Sequence, residues 1–594
     1  MRQFALIIVL LGVFVMSSIG QPLGNKTIFG SHVYVLSDSS KDIQETIDRL
    51  YKTQEASEFG DKRFALLFLP GVYPHLNLKV GFYTQLAGLG RMPDQVVFDQ
   101  GSTLEVTGDW NRHSCTSNFW RSAENFRLTN PAPFSAMWAV SQACPLRRVH
   151  IDGNLDLYEI GPNGRNEFAS GGFLADSEIG GTIDSGSQQQ WFSRNTRMKN
   201  WKSGSWNMVF VGSNVPLSSN WTENPPYTTT PYTVIKKTPL VREKPFLCVN
   251  DQGEFQVFAP GTRQDSVGPS WTNGPDKGTI LPINRFYIAH PETDDAESIN
   301  AQLAQGKDIL LTPGIYSLKS PLHVSRSDTV ILGLGLATLQ PASGQAALIV
   351  DDVDGVSLSG LLIDAGQENS RVLLRMGQPG SVLSHASNPS LLSDVFFRVG
   401  GAGPARANVC LEINSKNVIV DDTWIWRADH GRGVGWETNP SQNGLIVNGD
   451  EVTIYGLAVE HFQEYQTIWN GNDGKLFFYQ CELPYDPPSQ AQWSSTWEGR
   501  KVDGWAAYKV GDQVLRHTAY GLGIYAVFIK TNGAHVNLDH AIEVPGQAKG
   551  IKIFHAMDLS IVGLGGIDHT INHLGRRAEP HDFENYPRVV SWPR

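Results

Sequence analysis

Two glutamates at a regular spacing are the residues of this 594-residue sequence best suited to acid chemistry. Glu460 lies in VTIYGLAVEHF and Glu482 in GKLFFYQCELP, and these two strand-like segments align at a spacing of 22 residues. If the segments are neighbouring strands, about 4.8 Å apart, both side chains emerge on one face and their negative charges repel. One carboxyl then keeps a proton with a raised pKa, as a general acid must. The pair therefore predicts proton donation to a leaving group.

The chain that positions this pair repeats itself. RFALLFLPGVY (Arg63–Tyr73) and GKDILLTPGIY (Gly306–Tyr316) each read as a short apolar strand followed by a Pro-Gly turn. Each follows a helical pattern, SKDIQETIDRLY or TDDAESINAQL, which can be capped by Asp42 in the first case and by Thr293 or Asp294 in the second. Each also precedes a further strand and a Gly-Leu-Gly turn. The shared order indicates duplication of a whole domain start.

Short apolar runs separated by Gly, Asn and Asp follow each start, without helical periodicity. Each run is too short to fold alone, so successive coils must stack and share a core. We therefore predict an all-β protein of two tandem right-handed parallel β-helices with short helical N-terminal caps. A β-sandwich is the alternative, but it does not explain the asymmetric coil lengths or the cap at each start. The predicted order is a signal peptide (1–20), a first module (21–225), an inter-module segment (226–290) with a hairpin in KPFLCVNDQGEFQVFAP, and a second module (291–594).

The N-terminus has the features of an export signal. Arg2 supplies the positive end, an apolar run follows, and Ser18 and Gly20 suit a cleavage site. We expect a secreted protein that has no membrane anchor. Asn25 and Asn220 each begin an Asn-x-Thr triplet and are predicted N-glycan acceptors.

The five cysteines leave at least one thiol without a partner in the chain. Cys115 and Cys144 are close in sequence and flank one irregular stretch, so we predict a disulfide between them. Cys410 and Cys481 lie in strand-like runs, where a free cysteine behaves as a small buried hydrophobe.

Charge and composition narrow the class of partner. The formal charge is −11 and the chain has no basic run, so nucleic acid is excluded as a partner, and a polyanion would be repelled without Ca²⁺ or a local basic patch. The 16 tryptophans and 17 tyrosines suit stacking against the apolar faces of sugar rings, although most of them will be core residues. We expect a monomer that binds a neutral polysaccharide.

Several phrases resemble one family of secreted proteins, over nearly the whole mature chain. They are SGSQQQWFSRN (Ser185–Asn195), SGSWNMVFVG (Ser203–Gly212), FFRVGGAG (Phe396–Gly403), WRADHGRGVGW (Trp426–Trp436) and VEHFQEYQTIWNG (Val459–Gly471). Together with the doubled PGxY strand, they resemble the secreted β-1,3-glucanases of glycoside hydrolase family 55. The resemblance implies a two-module arch with a sugar-binding cleft between the modules, inverting hydrolysis of β-1,3-glucan, and no cofactor or obligatory metal.

The resemblance also implies roles for the acidic pair. Two Glu at this spacing in the second module resemble the acidic pair of the family, and we predict that Glu482 is the proton donor and Glu460 its partner. Adjacent carboxylates are closer than the roughly 6.5–9.5 Å expected of an inverting pair, so another group must hold the attacking water. The family uses a Gln and a Ser near that water, and the candidates on the first module are Gln188, Gln189, Gln190 and Ser193. Alternation along a strand would place Gln188 and Gln190 on one face.

Exposed aromatic side chains near the pair are expected to stack on the sugar. The candidates are Trp191, Trp206, Tyr465, Trp469 and Tyr485. Asp429 and His430 either complete a proton relay or form a structural pair. Glu437 is the alternative to Glu460 as a member of the acidic pair, because it lies 23 residues before Glu460 and could occupy the preceding coil.

Three other functions remain open at this point. A pectate-type lyase needs clustered Asp residues for Ca²⁺ and a basic residue that abstracts a proton. Asp421, Asp422 and Arg427 match this requirement only weakly. A galacturonan hydrolase uses close Asp groups, but its basic substrate-binding motif is absent. A non-catalytic glucan-binding wall protein is the third alternative.

Overall fold

A computed structural model describes residues 27–223, 228–274 and 276–594. The predicted signal peptide and the acceptor Asn25 lie outside the described residues. The first module is a 17-stranded parallel ladder in which each coil pairs with the next. Its strands are β1 (Val33–Leu36), β2 (Phe64–Phe68), β3 (Gly71–Pro74), β4 (Asn77–Lys79), β5 (Thr84–Gly88), β6 (Val96–Asp99), β7 (Thr103–Val106), β8 (Arg121–Leu128), β9 (Ser135–Trp138), β10 (Pro145–Ile151), β11 (Asn154–Asp156), β12 (Phe173–Ala175), β13 (Glu178–Asp184), β14 (Gln190–Arg194), β15 (Arg197–Lys202), β16 (Asn207–Val211) and β17 (Tyr232–Ile235).

An antiparallel segment separates the two solenoids. Its strands are β18 (Thr238–Arg242), β19 (Phe246–Val249), β20 (Phe255–Pro260), β21 (Thr262–Ser266) and β22 (Gly278–Pro282). The predicted hairpin is confirmed, because β19 pairs antiparallel with β20. The parallel ladder of the first module continues through β17, which pairs with β16 beyond the predicted boundary at 225.

The second module has two long faces, a 12-stranded sheet and a 9-stranded sheet, to which successive coils contribute. Its strands are β23 (Phe286–Ala289), β24 (Asp308–Leu311), β25 (Ile315–Leu318), β26 (Leu322–Val324), β27 (Val330–Pro341), β28 (Leu348–Val350), β29 (Ser357–Asp364), β30 (Ser370–Met376), β31 (Leu391–Val399), β32 (Ala407–Ile413), β33 (Ile419–Arg427), β34 (Asn443–Val447), β35 (Thr453–Glu460), β36 (Thr467–Trp469), β37 (Gly474–Glu482), β38 (Ser494–Trp497), β39 (Arg500–Asp503), β40 (Tyr508–Val510), β41 (Arg516–Phe528), β42 (Leu538–Glu543), β43 (Gly550–Gly563), β44 (Ile567–Ile571) and β45 (Arg588–Trp592). The predicted all-β architecture of tandem parallel β-helices is confirmed.

A short helix covers the start of each solenoid, as predicted. Helix α1 (Ile43–Gln54) and helix α2 (Ala296–Ala304) bury one apolar face each against the first coils. The N-cap of α2 is Asp295, not Thr293 or Asp294, because its carboxylate accepts the amides of the first turn. Within the described ranges, neither helix is long and apolar enough to cross a membrane.

The helix caps differ from prediction for local reasons. Asp294 is used elsewhere, since its carboxylate accepts hydrogen bonds from the His290 amide and the Tyr287 hydroxyl. Asp42 does occupy the N-cap position of α1, but its left-handed backbone, with φ of 61°, leaves its side chain without a capping hydrogen bond. Helix α1 therefore depends on burial, whereas α2 is also capped by Asp295.

The predicted Cys115–Cys144 disulfide is wrong: all five cysteines have free, buried thiols in the described structure. The Cys115 side chain packs with Ala139 and Ala169 in a small cluster of its own, whereas Cys144 lies in the main core of the first solenoid. The Cys144 sulfur instead lies 3.0 Å from the Asn118 carbonyl oxygen. Sequence proximity therefore did not bring the two sulfurs together.

Apolar side chains from both modules pack directly against each other. Trp120 of the first module lies 4.7 Å, centroid to centroid, from Trp424 of the second. A Cβ on Gly456 would meet Phe173 at 2.8 Å, and the φ of 66° at Gly456 also favours glycine. The approach is close enough that the two solenoids share one buried interface.

Buried charges cross the same interface. The Arg147 guanidinium of the first module contacts Asp394 at 2.6 Å and Asp421 at 2.7 Å. Arg194 contacts Asp421 at 2.8 Å and Glu243 of the inter-module segment at 2.7 Å. Since these groups are almost completely buried, each carboxylate depends on its cation for compensation.

This ion network predicts a large stability difference between two arginine variants. Arg147→Met should cost about 3 kcal/mol or more, because Asp394 and Asp421 each lose a buried partner. Arg197→Met is the control, since its exposed pair with Glu178 contributes about 0–1 kcal/mol. The unfolding midpoints in denaturant measure both. Equal losses of unfolding free energy in the two variants would contradict a stabilising role of the buried ion network.

Candidate active site

Strands β33, β35 and β37 end side by side at one edge of the second module. The predicted register is confirmed, because Ile454 pairs with Leu476 and Ala458 with Gln480. The same spacing of 22 residues sets Glu460 of β35 beside Glu482 of β37. One coil earlier, Trp426 pairs with Glu460. The two glutamates therefore lie on one outward face, at the ends of adjacent strands.

Glu460 is buried and held by two hydrogen-bond donors. Gln142 of the first module donates to Oε1 at 2.9 Å, and the Trp424 indole donates to Oε2 at 2.8 Å. Burial, reinforced by the charge of Glu482, raises the pKa of Glu460 well above its usual value. This carboxyl is fixed in place and directly joined to the opposite module.

Glu482 is half-buried and accepts a hydrogen bond from the Tyr485 hydroxyl. Burial, together with the charge of Asp429, raises the pKa of Glu482 to about 7, against the opposing effects of the Tyr485 hydrogen bond and the charge of His430. A carboxyl with this pKa still holds its proton in mildly acidic solution. It is therefore suited to general-acid chemistry.

A chain of charged groups runs beside the pair. His430 Nδ1 lies 2.8 Å from Asp429 Oδ1, and His430 Nε2 lies 2.6 Å from Glu58 Oε1 of the first module. Burial opposes the charged imidazolium, but the hydrogen bonds to Asp429 and Glu58 raise the pKa of His430 to about 10. The Lys530 ammonium lies 3.6 Å from the far oxygen of Asp429. Asp429 and His430 thus form a charged bridge between the modules.

His461 lies between this bridge and the pair. Its Nδ1 donates to the Leu483 carbonyl oxygen at 3.0 Å, which leaves Nε2 at 3.8 Å from Asp429 and 3.9 Å from Glu460. Burial lowers the pKa of His461, so the ring is neutral near pH 7.

These groups line a cleft of about 330 Å³ between the two modules. Aromatic rings form one wall: Trp424 and Trp426 stack 4.7 Å apart, and Phe119 of the first module lies 4.5 Å from Trp424. The lining side chains are Thr116, Ser117, Phe119, Gln142, Ser170 and Gln189 from the first module, and Trp424, Trp426, Asp429, His430, Glu460, His461, Glu482, Tyr485, Val527 and Ile561 from the second.

Of the predicted water-positioning residues, Gln189 lines the cleft, whereas Gln188, Gln190 and Ser193 lie away from it. Gln188 is buried, and its side-chain amide donates hydrogen bonds to the Val140 and Leu157 carbonyl oxygens inside the first solenoid. Gln190 donates to the Ser170 carbonyl oxygen and lines a small enclosed chamber behind Glu460. Ser193 is completely buried in β14. The prediction that Gln188 and Gln190 share a face is wrong, because Gln188 lies before β14 and points into the first solenoid, whereas Gln190 faces the second module.

Two polar residues that the sequence did not single out reach the cleft instead. Gln142 bonds Glu460, and its own Oε1 accepts from the Ser170 hydroxyl at 3.2 Å. The sequence does not indicate that Gln142 belongs to the site, because its hydrogen-bond partner, Glu460, lies 318 residues away.

Only one of the five predicted stacking residues lines the cleft, namely Tyr485. Trp191 and Trp469 are core residues of the two solenoids. Tyr465 lies on the other sheet, where its hydroxyl donates to Glu543. Trp206 is half-buried at the end of the first module and stacks on Phe583 at 6.4 Å.

Trp424 and Trp426 are the aromatics that sequence reasoning missed. They alternate at i and i+2 on β33, which places both on one face of the strand. Aligning β33 with β35 in register would have set Trp426 over Glu460, but the longer coil between them hides that alignment.

The competing residues have other surroundings. Glu437 is exposed in a turn, and Trp426 takes its predicted place in the preceding coil. Asp421 is fully engaged by two arginines, and Arg427 donates to both oxygens of Asp486 at 2.9 Å. Neither Asp421 nor Arg427 is free for the chemistry of a Ca²⁺-dependent lyase.

Comparison with known proteins agrees with this geometry. A model of the LAM55 pectate lyase-like domain matches residues 286–482. An exo-beta-1,3-glucanase of Streptomyces sp. SirexAA-E is 44% identical over 564 residues, which are 95% of this chain and 89% of that protein. The chain belongs to glycoside hydrolase family 55.

Solved structures of a family member show the same architecture. The structure of SacteLam55A from Streptomyces sp. SirexAA-E superimposes with a TM-score of 0.88 at 42% identity, covering 96% of this chain and all of that one. A Glu-to-Ala variant of SacteLam55A in complex with glucose gives the same TM-score and covers 97% of this chain. The family fold therefore extends over both modules.

Proposed function

We propose that this protein is a secreted exo-acting β-1,3-glucanase that hydrolyses glucan with inversion at the anomeric carbon. The observation that carries the proposal is Glu482, a carboxyl with a pKa near 7 on the wall of a cleft whose other wall is a separate module. The related Streptomyces protein is named an exo-beta-1,3-glucanase, which supports the linkage and the exo mode.

Glu482 is the proton donor in this proposal. It is the less buried member of the pair, so the oxygen of a glycosidic bond can reach it, whereas both oxygens of Glu460 are already bonded. Burial and the charge of Asp429 keep the proton on Glu482 until the leaving oxygen accepts it.

Gln142 and Ser170 hold the attacking water. Both line the first-module wall of the cleft, opposite the glutamates, and inversion requires water on the face away from the acid. This water loses one proton to the solvent of the open cleft as its oxygen bonds the anomeric carbon, and Glu482 regains from the same solvent the proton that it gave to the leaving oxygen. Glu460 fixes Gln142 through its Oε1, and the Ser170 hydroxyl fixes the Gln142 oxygen. Glu460 is thus a positioning residue that aligns the water site across the interface.

Contacts that join the two modules beside the cleft support the exo mode. The Glu58–His430 hydrogen bond and the stacking of Phe59 on Trp426 join the modules beside the pair. A glucan chain cannot pass through a wall made of such contacts, so only a chain end enters.

Secretion and glycosylation are part of the same proposal. They rest on the N-terminal signal sequence and on the triplet at Asn220. The Asn220 side-chain amide donates to the Thr230 carbonyl oxygen at 2.9 Å, and a glycan replaces only one of its two hydrogens.

Product analysis on laminarin tests the exo mode. Early time points should contain a single small sugar while the polymer length falls slowly, because each event removes a chain end. A ladder of mixed oligosaccharides at the earliest times would mean internal cleavage. Absence of any released sugar, with binding retained, would indicate a wall-binding protein.

Replacing the acid should abolish turnover without unfolding the protein. Glu482→Gln should lower kcat on laminarin roughly 10²–10⁴-fold, the usual contribution of general-acid catalysis. The matched control is Glu437→Gln, an exposed glutamate of the same module, which should keep the wild-type rate. Equal activity of the two variants would remove Glu482 from the mechanism.

The alkaline limb of kcat/KM should report the Glu482 proton. The carboxyl must be protonated to act, so activity is present below its pKa and is lost as pH rises through about 7. Tyr485→Phe removes the hydrogen bond that lowers this pKa, and should move the limb to higher pH. Tyr287→Phe, a change at the distant cap, should not. A limb that stays fixed or moves down in Tyr485→Phe would contradict the assignment.

A further inference from the structure

The first-module wall of the cleft is built from one position that recurs in successive coils. Strands β8, β10, β12, β14 and β16 pair in that order, and their register aligns the residues just before each strand. In coil order, this position is occupied by Phe119, Gln142, Ser170, Gln189 and Trp206. The first four line the cleft. Trp206 is the fifth, one coil or about 4.8 Å beyond Gln189, whose carbonyl oxygen accepts the Trp206 amide at 2.8 Å.

The second-module wall continues in the same direction. Glu482 of β37 pairs with Tyr525 of β41. The Trp206 ring lies 5.3 Å, centroid to centroid, from the Tyr525 ring. The contact of Phe59 with Trp426 lies on the other side of the acidic pair, because Trp426 is one coil before Glu460. Both walls therefore extend past the acid on the side away from that contact.

The loop between β44 and β45 adds a second ring at this place. Phe583 of the loop is 43% exposed and stacks on Trp206, with ring centroids 6.4 Å apart and planes 9° apart. We propose that Trp206 and Phe583 bind a sugar unit of the glucan on the leaving-group side of the cleaved bond. This inference rests on the proposed function, because it takes Glu482 as the acid that divides the two ends of the substrate.

The chemistry of the two rings and their surroundings fits a neutral sugar. Flat aromatic rings that keep part of their surface in water suit the apolar face of a pyranose. The acidic residues Asp582 and Glu584 flank Phe583 in the loop, and their charges would repel a uronate chain. A β-1,3-glucan carries no charge and meets no such repulsion.

The loop that carries Phe583 is held by hydrogen bonds on both sides of the ring. The His581 amide donates to the Ser560 carbonyl oxygen at 3.1 Å, and the Asn585 amide donates to the Asp582 carboxylate at 3.0 Å. A platform ordered in advance loses less entropy when the sugar binds. Only a substrate long enough to reach the two rings gains this binding energy, so the pair selects for chain length.

The test compares two substrates of different length. Laminarihexaose, a β-1,3-linked hexamer of glucose, can reach the two rings, whereas the leaving group of β-glucosyl fluoride is a single fluoride ion and cannot. The ratio of kcat/KM on laminarihexaose to kcat/KM on the fluoride should fall roughly fivefold or more in Trp206→Ala and in Phe583→Ser. Phe583→Ser changes an exposed residue, so it serves even if Trp206→Ala folds poorly.

Two further variants are the controls. Phe583→Tyr keeps an aromatic ring and should keep most of the wild-type ratio. Phe134→Ser removes a phenylalanine of the first module that is 51% exposed and does not line the cleft, and should leave the ratio unchanged.

Three results would overturn the subsite while the proposed function stands, with the wild type hydrolysing both substrates. The first is an unchanged ratio in Trp206→Ala and Phe583→Ser, and the second is an equal loss on both substrates, which would mean that the rings serve only the structure. The third is a fall of the same size in Phe134→Ser. A wild type that hydrolyses neither substrate would instead overturn the proposed function, and the subsite with it.

Discussion

The spacing between successive coils of the second solenoid is the constraint on which the site depends. Neighbouring parallel strands lie about 4.8 Å apart, and the backbone hydrogen bonds of β35 and β37 do not allow that distance to change. Two carboxyls that emerge at the same register must therefore share one small volume. Burial raises the pKa of both carboxyls; the charge of Glu482 adds to the shift of Glu460, and the charge of Asp429 adds to that of Glu482. The spacing of the coils thus places the carboxyl of Glu482 where it can act as a general acid.

A single module would expose this acid on a flat sheet. The first module turns the sheet into a cleft, and buried charge holds it in place: Arg147 and Arg194 bind carboxylates of the second module at distances below 3 Å. Such a network specifies one relative position of the two modules better than apolar packing alone, because any slip leaves a buried charge without its partner. The same precision lets Gln142 reach Glu460 across the interface.

The features that the sequence predicted correctly are local or periodic. The two cap helices, the hairpin and the register of Glu460 over Glu482 follow from patterns within tens of residues, and the doubled start follows from a repeated sequence. The errors concern contacts between distant segments. Gln188 faces the core of the first solenoid, where it forms an isolated β-bridge with Ala169 that the sequence does not reveal. Gln142 faces the cleft, where its hydrogen-bond partner, Glu460, lies on the other module.

The most direct test of the central claim is a crystal structure of the Glu482→Gln variant with a β-1,3-linked gluco-oligosaccharide. The account predicts that the scissile glycosidic oxygen lies within hydrogen-bond distance of the side chain at position 482. It also predicts a water bound by Gln142 and Ser170 on the opposite face of the sugar. An oligosaccharide whose glycosidic oxygen lies nearest to another carboxyl, or a water on the same side as position 482, would contradict it.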